Sequence, residues 1–348
     1  MNLQEIIHRL ETIYQQTDYN GSYALVTADK ILAKKNYGFA KFKEKQLFTE
    51  ATQSCIGSVT KQFTGTACMI LHEQGKLNLE MPVVAFFPDL LIPKAITVKH
   101  LLTMSSGLPD YPTELFLNSL KKIKEQSPEL NEKLQEFYAE FATAEQISFN
   151  KLKTIIATKP MDFQVGTRVS YSNTNYYLLG LIIEKVSGLS FEKFVTQKIL
   201  SPLSMVKTSF ATQNSIARSY RNIDNELHEF PNTYQLLSAD GCMVSTINDL
   251  SKWLQAVLKG EILSPESWDQ VFNLYLKEYN CGWMKLGDWF YHGGQYLGFY
   301  CEIFLHRKAG LGKVMLYNRE ATSELDQYSM DERSNWRNLI RDWSFSQN

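Results

Sequence analysis

Hydrophobic positions along the chain change their period in a way that predicts its elements. Over residues 2–16, Leu3, Ile6, Ile7, Leu10 and Ile13 recur at three- and four-residue spacing and predict an amphipathic helix. Ser22–Ala28 and Ile31–Tyr37 are apolar-rich runs around a short polar turn, which predicts a β-hairpin. From Ser58 the helical period returns through Val59, Phe63, Ala67 and Ile70, with Gly75 as the stop. Residues 98–104 predict a short helix closed by Ser105-Ser106-Gly107-Leu108-Pro109. The Lys- and Glu-rich stretch 113–160 carries Leu115, Leu120, Ile123, Leu130, Leu134, Phe137 and Phe141 at helical spacing and predicts two or three surface helices. Further helices are predicted over Tyr176–Val186, stopped by Ser187-Gly188, and over 190–199. Another is predicted over 246–259, capped by Thr246 or Asn248 and ended by Gly260. Then the period becomes two. Gly282–Lys285, Trp289–His292, Leu297–His306 and Gly312–Asn318 predict an antiparallel meander with short glycine turns. The C-terminal residues return to helix through Leu325, Trp336, Leu339, Ile340 and Trp343.

Strands at both ends and helices between them predict an α+β fold. One antiparallel sheet is built from the two ends of the chain, flanked by helices, with an all-helical lobe inserted. No linker or internal repeat divides the sequence. A single domain is expected over 1–348, with an α/β lobe at about 1–57 and 235–348. The helical lobe is expected at about 58–234 and carries a helical insertion at about 113–160.

Composition narrows the classes. The 348 residues hold 36 Lys+Arg against 37 Asp+Glu, a net charge of −1, which argues against a nucleic-acid partner. Hydrophobic residues are 44% and charged residues 21%, ordinary for a globular chain and unlike a disordered one. Six scattered His and no CxxC give no metal-ligand spacing, so no metal is expected. The five Cys, at 55, 68, 242, 281 and 301, read as small buried hydrophobes. No run approaches the length needed for a membrane span. The first residues mix Glu5, His8, Arg9, Glu11 and Asp18 among apolar ones, unlike a signal peptide. The expected location is cytoplasmic, or periplasmic or secreted if an export signal has been removed.

Three short elements carry chemistry. No GxSxG, GxxxxGK[ST], GxGxxG or HExxH occurs, which removes the usual support for α/β-hydrolase, phosphate-loop, dinucleotide and zinc-protease readings. Ser58-Val59-Thr60-Lys61 places a hydroxyl and an ammonium on one helix face. Five SxxK matches exist, at Ser58, Ser119, Ser148, Ser190 and Ser204, but only Ser58 enters a helix from an apolar-Gly step, Ile56-Gly57. A serine there lies near unpaired N–H groups and can be activated by a neighbouring base. Tyr171-Ser172-Asn173 precedes an apolar helix and can project a phenol and an amide into a cleft. Tyr291-His292-Gly293-Gly294-Gln295 ends a predicted strand. Its glycines allow close approach, the Gln295 N–H is a candidate oxyanion donor, and His292 can bond substrate or tune Tyr171.

In this order, separated by 113 and 121 residues, the elements resemble the serine β-lactamase and penicillin-binding-protein superfamily. The likeness is to its class C β-lactamase, D-Ala-D-Ala carboxypeptidase and esterase branch. Leu101–Tyr111 is similar to that family's LLTHTSGLPDY, Phe163–Gly180 to FxPGTxxxYSNxxYxLLG, and Asp240–Leu250 to GGxxSTxxDL. The resemblance implies a β-lactamase/transpeptidase-like fold, no cofactor, a small-molecule or peptide substrate, and a monomer. It implies Ser58 as the acylated nucleophile, Lys61 as the cation or base that deprotonates it, and Tyr171 as general base. Asn173 would bind the substrate amide and position Lys61. The N–H groups of Ser58 and Gln295 would form the oxyanion hole, and Tyr111, His292, Gly293 and Gly294 would line the substrate side. In class C β-lactamases the third triplet begins with Lys; here it is His292, and a neutral imidazole binds a carboxylate less strongly than a fixed ammonium does. The expected function is a serine hydrolase of esters, peptides or amides with weak or no β-lactamase activity. The alternatives are a catalytically weak penicillin- or peptidoglycan-fragment-binding protein, and an acyltransferase.

Overall fold

The computed structural model describes residues 19–114, 147–210, 216–223, 226–230, 238–241, 243–273 and 278–319, together with positions 5, 7, 8, 11 and 12. The five N-terminal positions are helical, in the predicted helix 2–16. Most of that helix, positions 115–146 of the Lys- and Glu-rich stretch, Cys242 and the C-terminal helix lie outside the described residues.

The strands are β1 (Gly21–Val26), β2 (Ile31–Tyr37), β3 (Phe39–Lys41), β4 (Gln46–Leu47), β5 (Ser54–Cys55), β6 (Tyr220–Ile223), β7 (Glu226–Glu229), β8 (Val244–Ser245), β9 (Tyr279–Asn280), β10 (Trp283–Leu286), β11 (Trp289–Tyr296), β12 (Phe299–His306) and β13 (Leu311–Tyr317). Seven of them form one antiparallel sheet in the order β2-β1-β13-β12-β11-β10-β9. The predicted hairpin is therefore joined to the predicted meander through β1 and β13, registered from Gly21↔Tyr317 to Val26↔Gly312. The fold is α+β, as the pattern of elements predicts.

Why the sheet is covered on both faces is visible in β1, where all six residues are buried. Ala24 and Val26 face the main core with Val314 and Leu316, while Tyr23 and Leu25 face a second cluster with Leu311 and Met315. That alternation is the period-two rule applied to a strand buried on both sides. β12 instead alternates buried and half-buried residues, with Cys301, Ile303 and Leu305 turned into the core.

Seven α-helices have both ends within the described residues: α1 (Thr60–Glu73), α2 (Val98–Leu102), α3 (Phe149–Thr158), α4 (Asn173–Ser187), α5 (Phe191–Val195), α6 (Ile247–Lys259) and α7 (Pro265–Asn273). α6 lies against β1 and β13, while α1 packs on α4, α5 and α7. α6 starts where Thr246 accepts the Asp249 N–H at 3.2 Å and ends at Gly260 in the left-handed region, so Thr246 is the cap. α1 is buried along most of its length, and Phe63 stacks on Trp253 of α6 with ring centroids 4.5 Å apart. It is thus a central rather than an amphipathic surface helix, pinned at both sides by apolar contact.

One predicted boundary needs correction. The strand expected to stop at His292 runs to Tyr296, and Leu297 is not its successor's first residue but part of the turn. Leu297 and Gly298 have φ of 41° and 79°, a two-residue hairpin turn. The His-Gly-Gly-Gln segment therefore lies inside a strand. Hairpin closure four residues further on outweighs the tendency of paired glycines to end a strand.

Candidate active site

Ser58 sits in a 3-10 turn, Gly57–Val59, that leads directly into α1. Three residues on, Lys61 shares its face. Its Nζ donates to Ser58 Oγ at 3.0 Å, to Asn173 Oδ1 at 2.7 Å and to the carbonyl oxygen of Asp240 at 2.6 Å. All three ammonium donors have acceptors, which is what a lysine with no solvent exposure requires. Burial lowers its pKa to about 8, opposed by the charges of Asp240 and then Asp110.

Tyr171 reaches the same serine from the opposite side, its hydroxyl 2.7 Å from Ser58 Oγ. The Lys61 ammonium lies 4.9 Å from the centre of the Tyr171 ring. Tyr171 leaves 38% of its surface open, yet crowding around the phenol raises its pKa above the usual value. The hydroxyl is a neutral group that can give and take a proton, not a standing phenolate.

Asn173 is the first residue of α4, whose cap, Ser172, makes no side-chain capping bond. The Asp110 carboxylate does that work: one oxygen accepts the Asn173 backbone N–H at 2.7 Å and its side-chain Nδ2 at 3.0 Å. The second bond fixes the amide orientation, leaving Oδ1 for Lys61. Thr174 adds a bond to Pro109 O and receives one from the Tyr111 N–H, so the Leu108–Tyr111 loop and the start of α4 are one hydrogen-bonded unit.

The third element approaches from the sheet. β10 pairs with β11 only from Trp289 to Tyr291, leaving His292–Tyr296 to lie against the Gly57–Val59 turn. Gly294 permits that contact: a Cβ there would stand 1.9 Å from Ile56 O. Gly293 is different. It is exposed, and a Cβ on it would meet nothing within 4 Å. The hairpin turn closes β11 on β12 at Tyr296↔Phe299, and bonded and non-bonded pairs alternate from there. Gln295, opposite Tyr300, therefore turns its N–H away from β12, on the Ser58 side. A Cβ on Gly57 would stand 2.8 Å from that nitrogen. The Gln295 side chain donates to the Tyr300 hydroxyl at 2.9 Å.

Two expected substrate contacts turn out to face inward. His292 is 1% exposed, with Nε2 3.0 Å from the Tyr279 hydroxyl and Nδ1 2.6 Å from Gly293 O. Burial, with the Lys61 charge second, lowers its pKa to about 3, so the ring is neutral. Both nitrogens being used, it backs Tyr171, its ring 6.0 Å away, rather than reaching substrate. Tyr111 is 3% exposed, and its hydroxyl donates to Asp240 Oδ2 at 2.8 Å; a buried phenol needs such a partner, and this one lies inside the protein.

Asp110 and Asp240 were not among the residues singled out from sequence, although both fall in stretches that resemble the family's. Each stands one step behind an acceptor of Lys61. Nothing in the spacing of the sequence marks a carboxylate placed that way. The structure shows no cluster of His, Cys, Asp or Glu suited to a metal among the described residues. No described helix is long and apolar enough to cross a membrane.

The chain is 28% identical over 325 residues to Protein flp of Staphylococcus aureus (strain MRSA252), covering 85% of this chain but only 59% of that protein. It is similar, at 26% identity and a TM-score of 0.73, to an octameric penicillin-binding protein homologue from Pyrococcus abyssi, over 91% of this chain and 74% of the other. A D-amino acid amidase from Ochrobactrum anthropi SV3 shares the fold at a TM-score of 0.72 and 22% identity, over 93% of each chain. Since one of these relatives is octameric, likeness to the family does not carry the expectation of a monomer. The model of the Beta-lactamase family matches residues 7–332, from the N-terminal helix past the last strand of the sheet, and on that extent the chain belongs to the beta-lactamase family.

Proposed function

We propose that the protein is a serine hydrolase that works through an acyl-enzyme on Ser58 and acts on small esters or amides without a required carboxylate. The observation that carries this reading is the Ser58 oxygen held between two proton-carrying groups, Lys61 at 3.0 Å and Tyr171 at 2.7 Å. Lys61, with its pKa near 8, is the group that can be neutral at working pH and accept the serine proton. The freed oxygen attacks the carbonyl carbon, and the N–H groups of Ser58 and Gln295 receive the developing oxyanion. Tyr171, neutral and with its hydroxyl 2.7 Å from Ser58 Oγ, gives its proton to the leaving group, and the proton taken up by Lys61, whose ammonium lies 4.9 Å from the Tyr171 ring, then replaces it. Water then attacks the ester on Ser58, its proton returns along the same path, and the acid is released. Tyr171 is in this account a relay rather than a phenolate base, because burial holds its proton on.

Substrate class follows from His292. A fixed cation on this strand would attract a carboxylate, but the imidazole here is neutral, buried and bonded on both nitrogens. That supports esters and amides, D-amino-acid derivatives included, over β-lactams. The amidase described above is one family-fold protein acting on such substrates. Ester, D-amino acid amide, D-Ala-D-Ala peptide and cephalosporin substrates assayed side by side test this. An ester or amide should be turned over with at least about 100-fold higher kcat/KM than the cephalosporin, the scale of a lost charge-assisted contact in a site. Preference for the cephalosporin would overturn the substrate assignment.

A further inference from the structure

Aromatic rings, an imidazole and two acidic residues surround Lys61. Tyr171 and Tyr176 face it with their rings, 4.9 and 5.8 Å from the ammonium, and burial keeps both phenols protonated. His292, from β11, is neutral. The opposite charges acting on it are those of Asp240 and then Asp110; burial raises the Asp240 pKa, and the Lys61 charge opposes that shift. Asp110 acts through Asn173, as described. Asp240 acts twice. Its main-chain oxygen takes the shortest of the Lys61 hydrogen bonds, 2.6 Å, and its side chain points back into the protein. There Oδ2 accepts from the Tyr111 hydroxyl at 2.8 Å and Oδ1 from the Ser238 N–H at 3.2 Å. The residue is 1% exposed. A carboxylate so buried is costly without a compensating cation, and Lys61 is the buried cation beside it.

We propose that Asp240 is a positioning residue for the hydrolytic reaction: its carboxylate holds the charge on Lys61 in the resting site, and its anchoring through Tyr111 and Ser238 aims its carbonyl oxygen at the ammonium. The inference rests on the hydrolase reading above. Its consequence is directional. Removing the charge while keeping the shape makes the ammonium less favourable, so Lys61 becomes a free base at lower pH. Asp240→Asn is nearly isosteric, and the Tyr111 hydroxyl can turn from donor to acceptor for the new amide, so the network stays satisfied. Tyr111 in turn is explained: it satisfies a carboxylate that faces away from solvent.

The test is the pH dependence of Ser58 labelling by a fluorophosphonate, read by intact mass from pH 5 to 10, for wild type and Asp240→Asn. The midpoint of the wild-type rate should lie near Lys61's value of about 8. In Asp240→Asn it should fall by about one unit, with labelling near pH 6 rising about fivefold to tenfold relative to the plateau. Asp240→Glu, which keeps the charge, should return the midpoint toward wild type. A uniform loss of rate with an unmoved midpoint, or a midpoint that rises, would overturn the proposal. Should Asp240→Asn fail to fold, Asp240→Ser removes the same charge with less volume and is read the same way. Absence of labelling in folded wild type would strike the hydrolase reading itself, whereas labelled wild type with an unmoved variant midpoint strikes only Asp240.

Discussion

One oxygen of Asp110 accepts from both nitrogens of Asn173, the backbone at 2.7 Å and the side chain at 3.0 Å. This single contact starts α4 and sets which end of the Asn173 amide faces Lys61. Asp110→Ala removes both effects. The helix loses its cap, and the amide is free to turn its NH2 toward the ammonium. Stability should fall by about 1–3 kcal/mol, the range for unsatisfied buried partners and lost caps. Turnover should fall at least about tenfold because Lys61 loses its aim. Thermal melting and kcat on a chromogenic ester measure the two losses separately.

The pH profile has a defined sign. In the proposed mechanism Lys61 acts as the free base, and its pKa is lowered to about 8. The rate of acylation should therefore rise with pH up to about that value and flatten above it. Lys61→Arg, which cannot lose its proton in this range, should lose acylation by more than about 1000-fold while the fold survives. A flat profile between pH 6 and 9 would contradict this assignment of the base.

The two adjacent glycines of β11 should behave oppositely. Gly294→Ala drives a Cβ to within 1.9 Å of Ile56 O, a backbone atom with little room to yield. It should separate β11 from the Ser58 turn and destroy activity, with destabilisation of at least about 2 kcal/mol. Gly293→Ala meets nothing within 4 Å and should leave the melting temperature nearly unchanged. Its methyl group stands in the open space beside the site, so its effect should appear in KM. Circular dichroism melts and steady-state kinetics of the pair distinguish these outcomes.

His292 makes an acid-stability prediction. Its folded pKa is lowered to about 3 from the usual 6.5. Between those values the unfolded chain binds a proton that the folded one does not, so this residue makes the protein less stable as pH falls through that window. The slope is up to about 1.4 kcal/mol per pH unit for one proton. His292→Gln should flatten the dependence between pH 6.5 and 3 in urea melts. An unchanged slope would mean the ring is protonated in the folded state.

Much of this was legible in the sequence, and the reasons for the rest are physical. The period-two pattern located β1, β2 and the meander, because strands covered on one or both faces write their burial into alternation. The joining of β1 to β13 follows only from topology: both ends of the chain carry strands and one sheet is the economical solution. Ser58, Lys61, Tyr171 and Asn173 stood out because their motifs, in this order along the chain, resemble those of a known family, whereas SxxK alone occurs five times. The end of β11 was misplaced since Gly293-Gly294 looks like a turn locally, and the close approach to Ile56 that demands Gly294 is a contact across 238 residues of sequence. The inward orientation of His292 and Tyr111 was equally hidden, for a motif gives residue type and order but not which side of a strand or loop is wet. Asp110 and Asp240 were missed as partners of Lys61 because each acts through an intermediary, an amide in one case and a peptide carbonyl in the other.

The proposed hydrolysis passes through a covalent bond to Ser58. Mixing the protein with an excess of a slowly deacylating ester, quenching in acid within seconds and mapping the adduct by peptide mass reads that bond directly. One acyl group on the peptide containing Ser58, absent from Ser58→Ala, is the predicted result. A folded wild-type protein that turns over the ester with no adduct at Ser58, or whose adduct persists in Ser58→Ala, would contradict the mechanism.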